Sequence, residues 1–255
     1  MSSAQICIGG KWEDGALGSY EIVNPATEEV VGLAPQGSVE QSIAATEAAA
    51  EAFESWSRTS PEERANLLEK AADLYDSRKD EFVPLVQAET GATMRVAKTM
   101  QVPQVSARFR RYARGAMEPT IIPLEPAVTP TTALAPGGLM SAAVNRAPVG
   151  VVSCITSYNF PLVNMAGKIG PALAMGNTVV VKPAPQDPLA VIKLVEVMNE
   201  AGFPPGVINV TCGTDIAASE ALVSSPFVDM VSFTGSTGVG QRIGAVAGGQ
   251  MKRLL

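Results

Sequence analysis

The second half of the chain alternates short unbroken apolar runs with longer segments that have the 3.6-residue spacing of helices. The apolar runs predict buried strands at 149–155, 178–182, 207–211 and 228–233. The other segments predict helices at 162–175, 189–201, 215–224 and 237–247. Strand, turn and helix repeating in this order are typical of a parallel sheet flanked by helices, so the predicted fold class is α/β.

The first part of the chain has a different pattern. Two short extended runs, Ile6–Ile8 and Tyr20–Val23, lie between glycines and an Asn-Pro pair. Capping-box sequences then begin at Ser38 and Ser60, where a serine oxygen accepts a free backbone N–H of the first helical turn. We therefore expect an N-terminal helical region. The helix that begins after Ser38 runs to about Trp56, and a second helix begins after Ser60.

Two further helices are predicted before residue 120. One ends at Gly91, and the other covers about 93–117 and has arginines at 108, 110, 111 and 114. An arginine cluster can bind phosphate, but in an acidic chain a solvated helix face is the better interpretation. In the second half, Gly176 and Gly202 occupy positions for left-handed helix ends, and Asp187-Pro188 predicts an N-cap followed by a first-turn proline.

Prolines interrupt the stretch between these two regions. They lie at 119, 123, 126, 130 and 136 and predict a linker or a protruding arm. The predicted organisation is thus an N-terminal part at 1–120, an arm at 121–148 and a ligand-binding core at 149–255. The last residues, Met251–Leu255, resemble the start of another strand with no turn after it. We therefore expect the chain to be a fragment of a longer protein.

Composition narrows the function classes. The net charge of −6 argues against nucleic acid or an anionic membrane as partner, and no apolar run is long enough to span a bilayer. The first residues lack a charged head before an apolar core, so we expect no secretory signal and a cytoplasmic location. The three cysteines have no metal-ligand spacing, and the chain has no histidine. Histidine-activated nucleophiles and metal sites are therefore not expected.

Candidate binding residues follow the predicted strands, because open parallel sheets bind ligands at the carboxyl ends of their strands. Lys182 ends one strand, where its ammonium is suited to ribose hydroxyls or phosphate, although a lysine reaching to solvent is the simpler alternative. A glycine-rich turn, Thr234–Gly240, precedes a helix whose free N–H groups suit a phosphate. Glycines in such turns also occur for steric reasons alone.

Four motifs, in this order and spacing, resemble the aldehyde dehydrogenase superfamily: Tyr158-Asn-Phe-Pro-Leu162, Gly176-Asn-Thr-Val-Val-Val-Lys-Pro-Ala184, Ala201-Gly-Phe-Pro-Pro-Gly-Val-Ile-Asn-Val210 and Val231-Ser-Phe-Thr-Gly-Ser-Thr237. The resemblance covers nearly the whole chain. It implies a Rossmann-like parallel sheet flanked by helices, an arm used for oligomerisation into a homodimer or homotetramer, and NAD-dependent oxidation of a small-molecule aldehyde to a carboxylic acid.

The resemblance also assigns roles to residues. Asn159 would be catalytic, its amide NH₂ stabilising the oxyanion formed when a cysteine thiolate attacks the aldehyde. Without the surrounding motifs, an Asx-turn that shapes the loop is the default interpretation of Asn159. Cofactor contacts are implied for residues at or after the ends of three strands. These are Ile155, Thr156 and Tyr158 beside the nicotinamide, Lys182 at the adenosine ribose, Gly235 and Ser236 at the pyrophosphate, and Phe233 and Val239 flanking the cofactor.

The chain departs from the family pattern at two places. The family's activating glutamate and nucleophilic cysteine follow a segment like Lys252–Leu255, so the resemblance puts both after this chain; Cys154 and Cys212 are expected to be buried, inert thiols. We therefore expect the 255-residue chain alone to be inactive. Pro185 also replaces a glutamate that selects NAD, so NADP is not excluded. A non-catalytic nucleotide-binding or assembly module is the alternative function.

Overall fold

A seven-stranded sheet lies at the centre of the computed structural model, which describes residues 4–255. In spatial order its strands are β13 (Arg253–Leu254), β12 (Met230–Phe233), β9 (Val151–Ile155), β10 (Thr178–Lys182), β11 (Ile208–Val210), β1 (Ile6–Ile8) and β2 (Lys11–Glu13). The five from β13 to β11 are parallel, as the apolar runs predicted. The other two, β1 and β2, extend the sheet in antiparallel fashion.

Strand register determines which side chains meet at the carboxyl edge of the sheet. Ile155, the last residue of β9, lies opposite Lys182 of β10 on one side and opposite Phe233 of β12 on the other. These three residues end their strands side by side. The turns that follow them therefore leave the sheet at one place.

Helices cover both faces of the sheet. They are α1 (Val39–Trp56), α2 (Pro61–Ser77), α3 (Lys79–Thr90), α4 (Met94–Val96), α5 (Val102–Ala116), α6 (Pro161–Ala174), α7 (Leu189–Ala201), α8 (Ile216–Ser224) and α9 (Thr237–Gly249). A π-helical segment at Ala97–Gln101 joins α4 to α5, so the predicted helix at 93–117 is continuous but irregular. The N-terminal helical region is thus present.

Alternate side chains of the central strand β10 enter two different apolar clusters. Val179 and Val181 pack with residues of α6 and α7, including Leu173. Val180 points the other way and packs with α1, α8 and α9, including Leu222. A strand buried on both faces is apolar at every position, which explains the unbroken run in the sequence.

Helix ends follow their predicted chemistry in most cases. Ser38 forms a full capping box with Gln41. Gly176 and Gly202 have positive φ angles of 82° and 104°, which glycine adopts without strain. The prediction that Asp187 caps α7 is wrong, because that helix begins after Pro188 and no side chain of its own cap residue accepts its N–H groups.

The proline-interrupted region forms an antiparallel ribbon rather than an unstructured linker. Strand β5 (Ile121–Pro123) pairs with β8 (Ala143–Asn145), and β6 (Ala127–Thr129) pairs with β7 (Gly138–Met140). Most of its side chains are exposed. The remaining strands, β3 (Ser19–Val23) and β4 (Val30–Pro35), form a separate hairpin.

The arginines of α5 are only partly on a solvated face. Arg111 and Arg114 are exposed as predicted, but Arg110 forms ion pairs of 2.7 Å with both Asp73 and Asp76 of α2. Arg108 is half-buried against α6. The sequence interpretation missed the helix-to-helix ion pairs, because it considered α5 by itself.

Asn177 connects three parts of the fold. Its Oδ1 accepts hydrogen bonds from the N–H groups of Val149 (2.6 Å) and Gly150 (3.1 Å), and its Nδ2 donates to the Ala172 carbonyl (3.0 Å). The Asn177 side chain is buried, so water could not take over its hydrogen bonds to these backbone groups if it were removed.

Asn177→Ala is therefore expected to lower the free energy of unfolding by about 2–4 kcal/mol, because it leaves the N–H groups of Val149 and Gly150 without their acceptor. Urea denaturation measures this change. Asn66 is exposed on α2 and makes no side-chain hydrogen bond within residues 4–255, so Asn66→Ala should change stability by less than about 0.5 kcal/mol. Equal effects of the two substitutions would contradict the proposed connecting role of Asn177.

Candidate cofactor and active site

A cavity of about 1010 Å³ opens at the carboxyl edge of the sheet, between the turns after β9, β10 and β12 and the helices α8 and α9. All nine residues singled out in the sequence line it: Ile155, Thr156, Tyr158, Asn159, Lys182, Phe233, Gly235, Ser236 and Val239. Strand register accounts for this convergence, since the three strands end side by side.

Asn159 lies on the exposed turn between β9 and α6. Its Oδ1 accepts a 2.7 Å hydrogen bond from the Ser157 hydroxyl, and the Ser157 oxygen accepts a 3.2 Å hydrogen bond from Nδ2 of Asn164. With its oxygen held in this way, the amide NH₂ of Asn159 has no partner among the described residues. The arrangement leaves a hydrogen-bond donor at the cavity wall.

Lys182 is buried at the end of β10, with only 6% of its surface exposed. Its Nζ donates to the carbonyls of Pro183 (3.1 Å) and Gly213 (3.0 Å), so one of its three N–H bonds remains for a ligand. Burial lowers the pKa of the ammonium, because a desolvated charge is disfavoured. The side chain does not reach to solvent, which removes the simpler alternative considered for it.

Thr156 places another free polar group in the cavity wall. Its backbone N–H is bonded to the Lys182 carbonyl at 3.3 Å, but its buried hydroxyl has no partner in the part of the chain that the structure describes. Buried hydroxyls without partners are rare in proteins and cost free energy.

The glycine-rich turn brings backbone close to an aromatic ring. A Cβ at Gly235 would lie 2.5 Å from the Phe233 ring, so this position accepts only glycine without a shift of the ring. Ser236 is the N-cap of α9, where its hydroxyl accepts a hydrogen bond from the N–H of Val239 at 3.4 Å. Gly235, Ser236 and Val239 line the cavity, so the start of α9, with the partial positive charge of a helix N-terminus that favours anions, lies at its wall.

Two charged residues of the cavity were missed by the sequence interpretation. Glu220 of α8 and Arg242 of α9 form an ion pair beside the cavity. Neither follows a strand, and a single charged residue on a helix side carries no signal that it faces a particular cavity. Only the packing of α8 beside α9 brings them together.

The two thiols near the sheet edge are buried, as expected. Burial raises the pKa of Cys154 to about 12 and also raises the pKa of Cys212, whose Sγ lies 3.2 Å from the Tyr20 hydroxyl. A thiol that holds its proton is a poor nucleophile. Neither group lines the cavity wall.

Two kinds of feature are absent from residues 4–255. No helix in that range is long and apolar enough to cross a membrane. Over the same range, no group of three or more Cys, Asp or Glu side chains is arranged to hold a metal ion.

The fold is that of an α/β protein with a parallel sheet, and its cavity lies at the carboxyl edge of the sheet, where open parallel sheets bind their ligands. The model of the aldehyde dehydrogenase family matches residues 12–255. The chain belongs to the aldehyde dehydrogenase family.

Individual relatives agree with this assignment. The chain is 40% identical over 252 residues to phenylacetaldehyde dehydrogenase of Pseudomonas fluorescens. The matched region covers 97% of this chain and 49% of that protein. It is similar to the NAD⁺ complex of an aldehyde dehydrogenase from Bacillus cereus, with a TM-score of 0.88, 33% identity and coverage of 99% and 50%. It is equally similar to an NADP-dependent enzyme of Escherichia coli, with a TM-score of 0.88, 30% identity and coverage of 99% and 50%. The chain spans about half the length of the curated relatives it matches.

Proposed function

We propose that this chain is the cofactor-binding part of a longer enzyme that oxidises an aldehyde to a carboxylic acid with NAD or NADP. The observation that carries the proposal is the single cavity lined by all nine residues that the family resemblance implicates. The proposal assigns the nucleophilic cysteine and the water-activating glutamate to a part of the full-length protein outside these residues.

The cavity residues fit a dinucleotide. Lys182 has one unused N–H for a ribose hydroxyl, and the start of α9 at Ser236 suits the pyrophosphate. The exposed side chains of Tyr158 and Val239 offer apolar surface to the rings. The bound nicotinamide would supply hydride acceptance, which no side chain of this chain can provide.

Asn159 would act on the aldehyde itself. Its amide NH₂ is free while its carbonyl oxygen is held by Ser157, so a negatively charged oxygen at the cavity wall would meet a donor that is already oriented. Such a donor stabilises the charge that develops when a thiolate attacks a carbonyl, and it does so without reorganisation during the step.

The choice between NAD and NADP is open in this proposal. Pro185 lines the cavity three residues after Lys182 and brings no carboxylate that would repel a 2′-phosphate. Relatives of both kinds support either cofactor. Paired titrations of the full-length protein with NADH and NADPH, followed by nucleotide fluorescence, measure the preference.

Lys182→Met should weaken binding of the reduced cofactor by about 10- to 100-fold, because it removes a charge-assisted hydrogen bond of about 1.5–3 kcal/mol. Lys98→Met provides the matched control, since Lys98 is exposed on the π-helical segment and its side chain has no ion pair or hydrogen bond with any described residue. Its cofactor affinity should equal that of the unmodified protein. Equal losses in both variants would contradict the role of Lys182.

Activity separates the two candidate functions. An aldehyde dehydrogenase forms NADH or NADPH only when aldehyde and oxidised cofactor are both present. A non-catalytic nucleotide-binding or assembly module would bind the cofactor without forming product. Assays of the full-length protein with a panel of aliphatic and aromatic aldehydes distinguish the two functions.

We also propose that the full-length protein is a cytoplasmic homodimer or homotetramer. Exposed apolar side chains of the arm, such as Val128 and Leu139, support an assembly role.

A further inference from the structure

Three side chains at the cavity form a directed hydrogen-bond chain. Asn164, in the first turn of α6, donates through Nδ2 to the Ser157 hydroxyl oxygen at 3.2 Å. The Ser157 hydroxyl in turn donates to Oδ1 of Asn159 at 2.7 Å. Asn164 is half-buried on a helix, whereas Ser157 and Asn159 belong to the turn before it. The rigid end of the chain is therefore Asn164.

The direction of each hydrogen bond follows from chemistry. An amide nitrogen is only a donor, so the Ser157 oxygen must accept from Asn164. A serine hydroxyl has a single proton, and Ser157 can therefore donate it to Asn159. Because the Ser157 hydroxyl is the donor, Asn159 must turn its acceptor atom, the oxygen, toward it. Two rotational states of the Asn159 amide differ by exchange of oxygen and nitrogen. With Nδ2 of Asn164 toward Ser157, the state with Oδ1 of Asn159 toward Ser157 is the hydrogen-bonded one.

The selected state matters for the chemistry of the site. With Oδ1 turned to Ser157, the Asn159 NH₂ is left without a partner in the described part of the chain and is free for a ligand oxygen. With the amide reversed, the cavity would meet a carbonyl oxygen, which repels an oxyanion. The sense of one amide therefore decides whether the turn stabilises or destabilises a developing negative charge.

We propose that Asn164 and Ser157 are positioning residues that hold the Asn159 amide with its NH₂ toward the aldehyde oxygen. This inference rests on the proposed aldehyde oxidation and adds to it the residues that set the orientation of the oxyanion donor. Neither residue contacts the aldehyde in this proposal. Both act through Asn159.

Asn164→Asp tests the proposal by reversing the hydrogen-bond polarity with almost no change in size. A carboxylate only accepts, so Ser157 would donate to it and turn its lone pairs to Asn159, which favours the reversed amide. We expect kcat for aldehyde oxidation by the full-length protein to fall by about 10- to 100-fold, with the affinity for reduced cofactor unchanged. Asn164→Leu, which removes the donor without reversing it, should give a smaller loss.

Two controls separate orientation from general damage. Asn66→Asp makes the same chemical change at an exposed position of α2 and should leave kcat unchanged. Ser157→Thr keeps the hydroxyl and should stay within about 3-fold of the unmodified protein, whereas Ser157→Ala should lose as much as Asn164→Leu. Melting temperatures and cofactor titrations show that each variant is folded.

A double-mutant cycle with Asn159→Ala gives the deciding measurement. If Asn164 acts only through Asn159, adding Asn164→Asp to Asn159→Ala causes no further loss of kcat. A further loss of the same size as in the single variant would overturn the inference, and so would a kcat for Asn164→Asp equal to that of Asn66→Asp. An unmodified full-length protein that oxidises no aldehyde would instead refute the proposed function, so the two failures are distinguishable.

Discussion

Asn159→Ala in the full-length protein is expected to lower kcat/KM for aldehyde oxidation by about 10²–10³-fold, equivalent to about 3–4 kcal/mol of lost transition-state stabilisation. The loss should appear in kcat, because the amide NH₂ strengthens its interaction only when the carbonyl oxygen becomes an oxyanion. Cofactor affinity should be unchanged. Initial rates of NADH or NADPH formation and a cofactor titration measure the two quantities.

Asn159→Asp distinguishes this role from a loop-shaping Asx-turn. Aspartate keeps an oxygen that accepts from the Ser157 hydroxyl, so a purely structural asparagine should tolerate the change. Aspartate has no donor and adds a negative charge, so an oxyanion donor should not tolerate it. We expect Asn159→Asp to lose at least as much kcat as Asn159→Ala. Near-normal turnover of Asn159→Asp would contradict catalysis by the amide.

Much of the site could be predicted from the sequence because strand periodicity is a local property. The apolar runs that end at Ile155, Lys182 and Phe233 are buried parallel strands, and these three residues lie opposite one another in the sheet. The residues after them therefore had to converge at one edge. The structure adds that Lys182 is buried and bonded to two carbonyls, which its position at a strand end alone did not imply.

The parts that were missed depend on contacts between distant segments. The antiparallel strands β1 and β2 join the sheet beside β11 through residues about 200 positions apart, such as Cys7 and Val210. The Glu220–Arg242 pair requires that two helices pack together. The hydrogen-bond chain from Asn164 to Asn159 is local, but the sequence does not reveal which way an amide points. Patterns of one segment contain none of this information.

The error at Asp187 has an electrostatic cause. The N–H groups at the start of α7 are taken by a more distant carboxylate, since Glu89 accepts from Leu189 at 2.5 Å and from Ala190 at 2.8 Å. Asp187 is left buried at 1% exposure, and its Oδ1 has no partner among the described residues. A carboxyl group in that position favours its neutral form.

The pH dependence of stability should report this buried pair. Burial, with a smaller effect of the negative charge of Glu89, raises the pKa of Asp187 to about 9. Burial also raises the pKa of Glu89 to about 7, although its two hydrogen bonds from backbone N–H groups act to lower it. In the unfolded chain both carboxyls titrate near pH 4. Between these values the folded protein holds protons that the unfolded chain has released. The free energy of unfolding therefore falls as pH rises, by up to about 1.4 kcal/mol per pH unit for each group.

Asp187→Asn should remove most of this fall, because an amide of nearly the same shape has no proton to lose. Between pH 6 and pH 9 the unmodified protein should lose about 2–4 kcal/mol more stability than the variant, measured by urea denaturation at each pH. Asp80→Asn makes the same change at an exposed carboxyl of α3 and should leave the pH dependence as it was. Parallel curves for Asp187→Asn and the unmodified protein would mean that Asp187 is ionised in the folded state at neutral pH. In that case an interaction with another group, and not burial, would control its charge.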